Sequence, residues 1–211
     1  MRSDGGAVMR KRPLRNDSRA KVEQIVDGTS RLLEHHALRD ITIIMVAKEA
    51  GVARTTIYDF FPTPFAIFQV IARDHVTRSW NWIHAEIAKA DPQSLDALID
   101  ASVDAASRYF NGNGAARKTL FGSGALELHV IESDWDLMSA RMYRDFMQPA
   151  WPVEAFSTAD PFRTMGILMS AIYSTSVRRW DAITSEMADE ARLVSRAYIA
   201  MREQTWGMNS L

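Results

Sequence analysis

The sequence predicts an all-α protein of about nine helices, with a small amino-terminal unit followed by a larger helical one. Three observations carry this. Apolar residues recur at helical spacing, and beyond residue 64 no convincing strand alternation occurs. Hydrophobic residues fill 47% of the 211 positions, enough for a sizeable core. The periodicity breaks at helix punctuation, as at Gly51, Asp91-Pro92, Asn111-Gly112-Asn113-Gly114 and Asp160-Pro161.

Residues 1–17 read as a disordered basic arm. Arg2, Arg10, Lys11, Arg12 and Arg15 stand there among Gly5, Gly6 and Pro13. Such an arm either reaches the backbone or minor groove of DNA or remains a solvated tail. No apolar stretch of signal-peptide length follows its cations.

Residues 18–63 form the first expected domain. An entry helix carries Ile25, Leu32 and Leu33. Thr42 suits the cap of a second helix, in which Ile43, Val46, Ala47 and Ala50 share a buried face. Ile41 and Val46 are placed to close a hydrophobic staple. Gly51 suits the left-handed position that ends this helix. Val52 and Ile57 would seat a short third helix, leaving Arg54, Thr55, Thr56, Tyr58 and Asp59 directed largely outward. Two short helices across so tight a turn make a helix-turn-helix, whose second helix fits the major groove. Hydroxyls and a phenol suit phosphate oxygens, and Arg54 can reach a base edge or a phosphate. The same pattern also suits a three-helix packing unit with a polar outer face.

From Lys21 to Ile71 the chain resembles the tetracycline-repressor (TetR) family of bacterial transcriptional regulators. The resemblance lies in the entry helix, in T-I-I-M-V-A-K-E-A-G-V, in T-I-Y-D-F-F-P-T, and in the apolar helix from Pro64. It implies a homodimer that grips a palindromic operator and a helical carboxyl-terminal domain that binds a small effector. By position, Thr42 and Tyr58 match phosphate-contacting residues, with Thr56 joining them; Arg54 and Thr55 match variable positions of the recognition helix, and Lys48 completes the expected DNA-binding set. Three positions depart from the family pattern. Pro64 stands where Lys is usual, removing a backbone contact; Ala37 replaces Gly after the first helix; Thr55 replaces a residue that is often Gly or Ala.

Residues 64–211 form the second expected domain. Helices are expected over 64–90, 92–110, 115–130, 133–147, 161–183 and 185–206, with a proline-rich loop over 149–161. The helix from Pro161 is apolar almost all round, which requires burial on two sides. A dimer interface is therefore expected from Phe162, Met165, Met169, Tyr173, Val177 and Trp180 with Val194, Tyr198 and Met201.

An adaptable effector pocket for a largely apolar ligand is expected from Tyr109, Phe110, Phe121, His129, Trp135, Met138, Met142, Phe146 and Met169. Leu128 and Trp151 lie in the same stretch. Gly122 and Gly124 would leave room, and Asn81, Glu127, His129, Arg141 and Tyr143 are candidate polar handles. Trp80, Trp82 and Ile83 on the helix from Pro64 would pass the ligand's effect toward DNA.

Charge agrees modestly. Residues 1–64 hold 11 Lys/Arg against 8 Asp/Glu, and the rest of the chain holds 14 against 18. No cysteine is present, which excludes disulfides and thiolate metal sites. No apolar run is long enough to span a membrane, so a cytoplasmic protein is expected. The five histidines form no H-E-x-x-H pattern, and neither a phosphate-cradling glycine loop nor a nucleophile elbow occurs. No enzymatic activity, cofactor or metal is expected. The competing readings are a ligand-independent interaction module and an architectural nucleoid protein.

Overall fold

A computed structural model of the chain describes residues 16–122, 129–147 and 160–209, with side chains over 17–122, 137–146 and 160–204. All regular structure among the described residues is helical. The arm's residues 1–15, Gly124, Glu127, Leu128, Trp151 and most of the 149–161 loop lie outside the described residues, as do the side chains of His129 and Trp135. Asn16 and Asp17, expected in the arm, instead open the first helix.

The helices are α1 (Asn16–His35), α2 (Ile43–Ala50), α3 (Arg54–Phe60), α4 (Pro64–Ala90), α5 (Leu95–Asn111), α6 (Gly114–Arg117), α7 (His129–Met147), α8 (Pro161–Trp180) and α9 (Ser185–Asn209). A 3₁₀ turn fills Leu38–Asp40, and one turn of π-helix, Lys118–Gly122, continues α6. Over 114–122 the expected helix is thus a short α-helix that widens into a π turn, and 123–128 lie outside the described residues. The next helix is already formed at His129, where the described residues resume, four residues before the start the sequence predicts.

Helix ends follow side-chain chemistry. Thr42, Thr63 and Ser94 accept from the backbone N–H of Met45, Ala66 and Ala97 and so cap α2, α4 and α5. Asp160 accepts from the N–H groups of Phe162 and Arg163, and Pro161 occupies the first turn of α8, where a missing N–H costs nothing.

Two apolar cores result. One joins α1, α2 and α3 to the first turns of α4, with Ile25, Leu33, Val46, Ile57, Phe61 and Phe68 buried. The other lies among α4, α5, α7, α8 and α9, around Ile99, Val103, Phe110, Phe121, Tyr143 and Phe162. Helix α4 contributes to both, from Ala66 to Ile71 in the first and from Ala72 to Ile87 in the second. Along α5 and α9, Arg192 pairs with Asp100 and Asp104, and Arg196 with Asp96 and Asp100.

The two cores are also joined by a polar latch. The Glu34 carboxylate of α1 accepts from the N–H of Gly114 and of Ala115, both at 3.2 Å, which satisfies the start of α6. In return Lys118 Nζ, on the π turn, donates to the carbonyls of Leu33 (2.7 Å), His36 (3.2 Å) and Glu34 (3.4 Å) at the end of α1. The same ammonium lies 3.4 Å from Asp181 at the end of α8.

Candidate nucleic-acid interface and effector cavity

Helices α2 and α3 are set by the turn between them. Gly51 has φ +66° and ψ +31°, a left-handed position that a Cβ would strain, and its N–H caps α2 by reaching the carbonyls of Ala47 and Lys48. Ile57 and Phe60 hold α3 in the core. The opposite side of α3 presents Arg54, Thr55, Asp59 and the 48% exposed Tyr58, while Thr56 is half-buried. Thr42 and Lys48 are exposed on α2. Because Thr42 Oγ1 accepts from Met45 N at 3.3 Å, its own proton remains free to donate toward a phosphate oxygen. Ile41 and Val46 are both buried in the same core, as a staple requires.

The departures at 37 and 64 have local explanations. Ala37 is extended, with φ −73° and ψ 151°, so no glycine is needed there. Pro64 takes the first turn of α4 behind the Thr63 cap. Two features of this face were missed from sequence. A Cβ on Gly28 would sit 3.0 Å from the backbone of Ala50, so any larger residue there would press α1 and α2 apart by a few tenths of an ångström. Arg31 crosses the same junction, donating to the Glu49 carboxylate at 2.6 Å and to its carbonyl at 3.2 Å.

In the second core, a cavity of about 30 Å³ lies between α4, α5, α7 and α8. Trp80, Ile83, Ala106, Met142, Gly166 and Met169 form its apolar wall, and Ser102, Ser139, Tyr143 and Tyr173 supply hydroxyls. Met142 and Met169, expected in an effector pocket, line this cavity, and among the described residues Tyr143 is the one expected polar handle on its wall. Met138 and Phe146 pack against the same core without lining the cavity. Tyr109, Phe110 and Phe121 do not line it. They form a run of edge-to-face rings that ends on Tyr173, with centroids 5.3, 4.7 and 5.6 Å apart. Trp82 is likewise off the wall, tilted against Tyr109 beneath the Arg108 guanidinium. Asn81 and Arg141 are exposed. Gly122 has ordinary contacts and does not line the cavity, whereas Gly166 does.

Burial pushes the Tyr143 phenol up to about 12, against the opposing effect of its hydrogen bond with Ser102. His75 Nδ1 lies 3.1 Å from the Tyr109 hydroxyl, and burial holds its pKa below the usual imidazole value.

The expected dimer surface needs correction. Phe162, Met165, Met169, Tyr173 and Val177 are buried within this chain's own core and cannot meet a second copy. The outer sides of α8 and α9 instead expose Ile167 (47%), Trp180 (50%), Leu193 (60%) and Met201 (63%), with Val194 and Tyr198 half-buried beside them.

Among the described residues no group of His, Asp or Glu is arranged to hold a metal ion, and no helix is long and apolar enough to cross a membrane. The fold and its exposed short helix define a helix-turn-helix unit of the kind found in DNA-binding transcriptional regulators. Residues 25–69 match the family model for bacterial regulatory proteins of the tetR family. The match runs over the amino-terminal helices from α1 into α4, which carry the DNA-binding signature of that family.

Solved structures share the fold along nearly the whole chain. The fatty acid degradation regulator FadR from Bacillus halodurans aligns with TM-score 0.61 at 14% identity, over 89% of this chain and 95% of that one. A TetR-family transcriptional regulator from Streptomyces coelicolor aligns with TM-score 0.62 at 15% identity, over 86% and 98%. The TetR family repressor AlkX from Dietzia sp., implicated in biodegradation of n-alkanes, aligns with TM-score 0.54 at 15% identity, over 85% and 96%. At these identities the likeness speaks for the fold. No curated protein matches the chain in sequence.

Proposed function

We propose that the chain is a non-enzymatic, cytoplasmic transcriptional repressor that binds a palindromic operator as a homodimer and whose grip is modulated by a small, largely apolar effector. The observation that carries this is the outward side of α3, where Arg54, Thr55 and Tyr58 stand exposed while Ile57 and Phe60 fix the helix from behind. Residues 18–63 form the DNA-reading unit and 64–211 the sensing and dimerising unit. Arg54 and Thr55 read bases; Thr42, Thr56, Tyr58 and Lys48 meet the backbone.

Two copies pair through α8 and α9, on the side exposing Ile167, Leu193 and Met201, which sets the recognition helices about 34–36 Å apart for successive major grooves. The effector enters the cavity bounded by Trp80 and Ile83 of α4, the helix that contributes to both cores. An effector that favours one spacing of the DNA-reading units shifts operator affinity by its preference for that state. Two proteins of this fold are described in connection with fatty acid degradation and n-alkanes, which accords with an apolar effector here.

The test is selection of duplexes from a random pool by the purified protein, followed by a salt titration of the selected operator. A palindromic sequence should emerge, with affinity falling by about 10³–10⁵ between 50 and 200 mM salt if six to ten phosphates are neutralised. Binding that ignores ionic strength, or a pool without a consensus, would refute the operator-reading function.

A further inference from the structure

We propose that Tyr173 is the hydrogen-bonding anchor of the effector site, and that the site takes an uncharged, mainly apolar molecule bearing one acceptor oxygen, such as a ketone or ester carbonyl. This rests on the effector-sensing reading above and narrows it to a chemical class.

The hydroxyl protons on the cavity wall are not all committed. Ser102 Oγ donates to the Ile99 carbonyl at 2.9 Å, and a serine has a single proton to give. The hydrogen bond between Ser102 and Tyr143 is therefore donated by Tyr143, whose hydroxyl is thereby used. Tyr173 differs. Its side chain lines the cavity and is 1% exposed, yet its hydroxyl has no hydrogen-bond partner among the described residues.

Burial, reinforced by the neighbouring Tyr143, drives the Tyr173 pKa strongly upward, so the oxygen keeps its proton as a donor. A buried hydroxyl without a protein partner must find its acceptor in whatever occupies the cavity, and departures of this kind from full satisfaction are expected at functional sites. An acceptor atom on the ligand is what this wall lacks.

The absence of charge follows from the same wall. None of the described lining residues is ionised at neutral pH, and the nearby Arg192 is committed to Asp100, Asp104 and Asp189. A carboxylate placed there would lose its hydration without gaining a counter-charge. About 30 Å³ is the share of one water molecule in the liquid, so a larger ligand must displace side chains. Met142 and Met169, unbranched and flexible, are suited to re-seat.

Three near-isosteric probes separate the possibilities on the full-length protein: ethylbenzene, acetophenone and benzoate, followed by calorimetry and thermal melting at neutral pH. Acetophenone should bind about tenfold more tightly than ethylbenzene, the size of one good hydrogen bond, and benzoate should not bind measurably. Tyr173→Phe should erase the acetophenone advantage, leave ethylbenzene unchanged and raise the unliganded Tm. Tyr143→Phe, which breaks a satisfied pair, should lower the Tm.

The anchor is overturned if benzoate binds best of the three, or if Tyr173→Phe leaves acetophenone affinity untouched. Ethylbenzene binding as tightly as acetophenone also overturns it, while sparing an apolar sensor. Failure of all three to bind would remove the sensing reading and the anchor together.

Discussion

Arg54 and Tyr58 stand exposed one helical turn apart on α3, and their different chemistry separates two kinds of contact. A guanidinium offers a fixed fork of donors to a guanine edge, so Arg54→Ala should cost about 1–3 kcal/mol on the selected operator and relax preference at one base pair. A phenol gives one hydrogen bond to a phosphate and releases no counterion. Tyr58→Phe should therefore weaken all duplexes by roughly tenfold while leaving the salt slope unchanged. Anisotropy titrations across single-base operator variants would read both effects, and a change of base preference in Tyr58→Phe would contradict the phosphate assignment.

His75 makes a pH prediction of its own. Burial lowers its pKa most; Arg78 lowers it further, while Asp74 and Glu34 act in the opposite sense. A base whose folded pKa is depressed binds fewer protons folded than unfolded, so its native state is favoured above the ordinary value of 6.5 and loses that advantage as pH falls below it. Tm should fall as pH drops below this value, and part of that slope should vanish in His75→Gln.

Helices were legible where a single side chain or backbone position decides the outcome. Thr42, Gly51 and the Asp160-Pro161 pair mark helix ends in the sequence and act as caps in the fold. The phase of α8 was not legible. A helix apolar on nearly every side does not say which side its own domain will cover, and so Tyr173 and Phe162, read as surfaces for a partner, are interior. The π turn at Lys118–Gly122 also escaped, because it depends on contacts with α1 and α8 that lie far away in sequence.

That turn allows a prediction about how α1 is held. Lys118 supplies the donor for three carbonyls at the end of α1, a region otherwise short of N–H partners. Lys118→Met keeps the length of the side chain and removes the donor. It should cost about 2 kcal/mol and lower Tm by roughly 4–8 °C, with helix content preserved by circular dichroism. A variant that melts like the parent protein would show that water replaces the ammonium without loss.

Operator recognition by two copies depends on pairing, because a half-site contacted by a helix as short as α3 gives only weak binding by itself. Linking two such contacts raises overall affinity by about 10²–10⁴ without any new contact to DNA. The exposed Leu193 lies on α9 near Val194 and Ala197, with Ile167 exposed on the adjacent α8, and these are the positions the proposed pairing would use. A charge buried there without a partner would oppose association far more than it would disturb a residue already 60% exposed in the single chain. Leu193→Glu should therefore sediment as a folded monomer with an unchanged circular dichroism spectrum. Its affinity for the full palindrome should fall by at least about a hundredfold, toward that of an isolated half-site. If Leu193→Glu remains dimeric, the pairing surface lies elsewhere; if it is monomeric yet binds the palindrome like the parent, each copy reads DNA alone and half-site spacing plays no part in recognition.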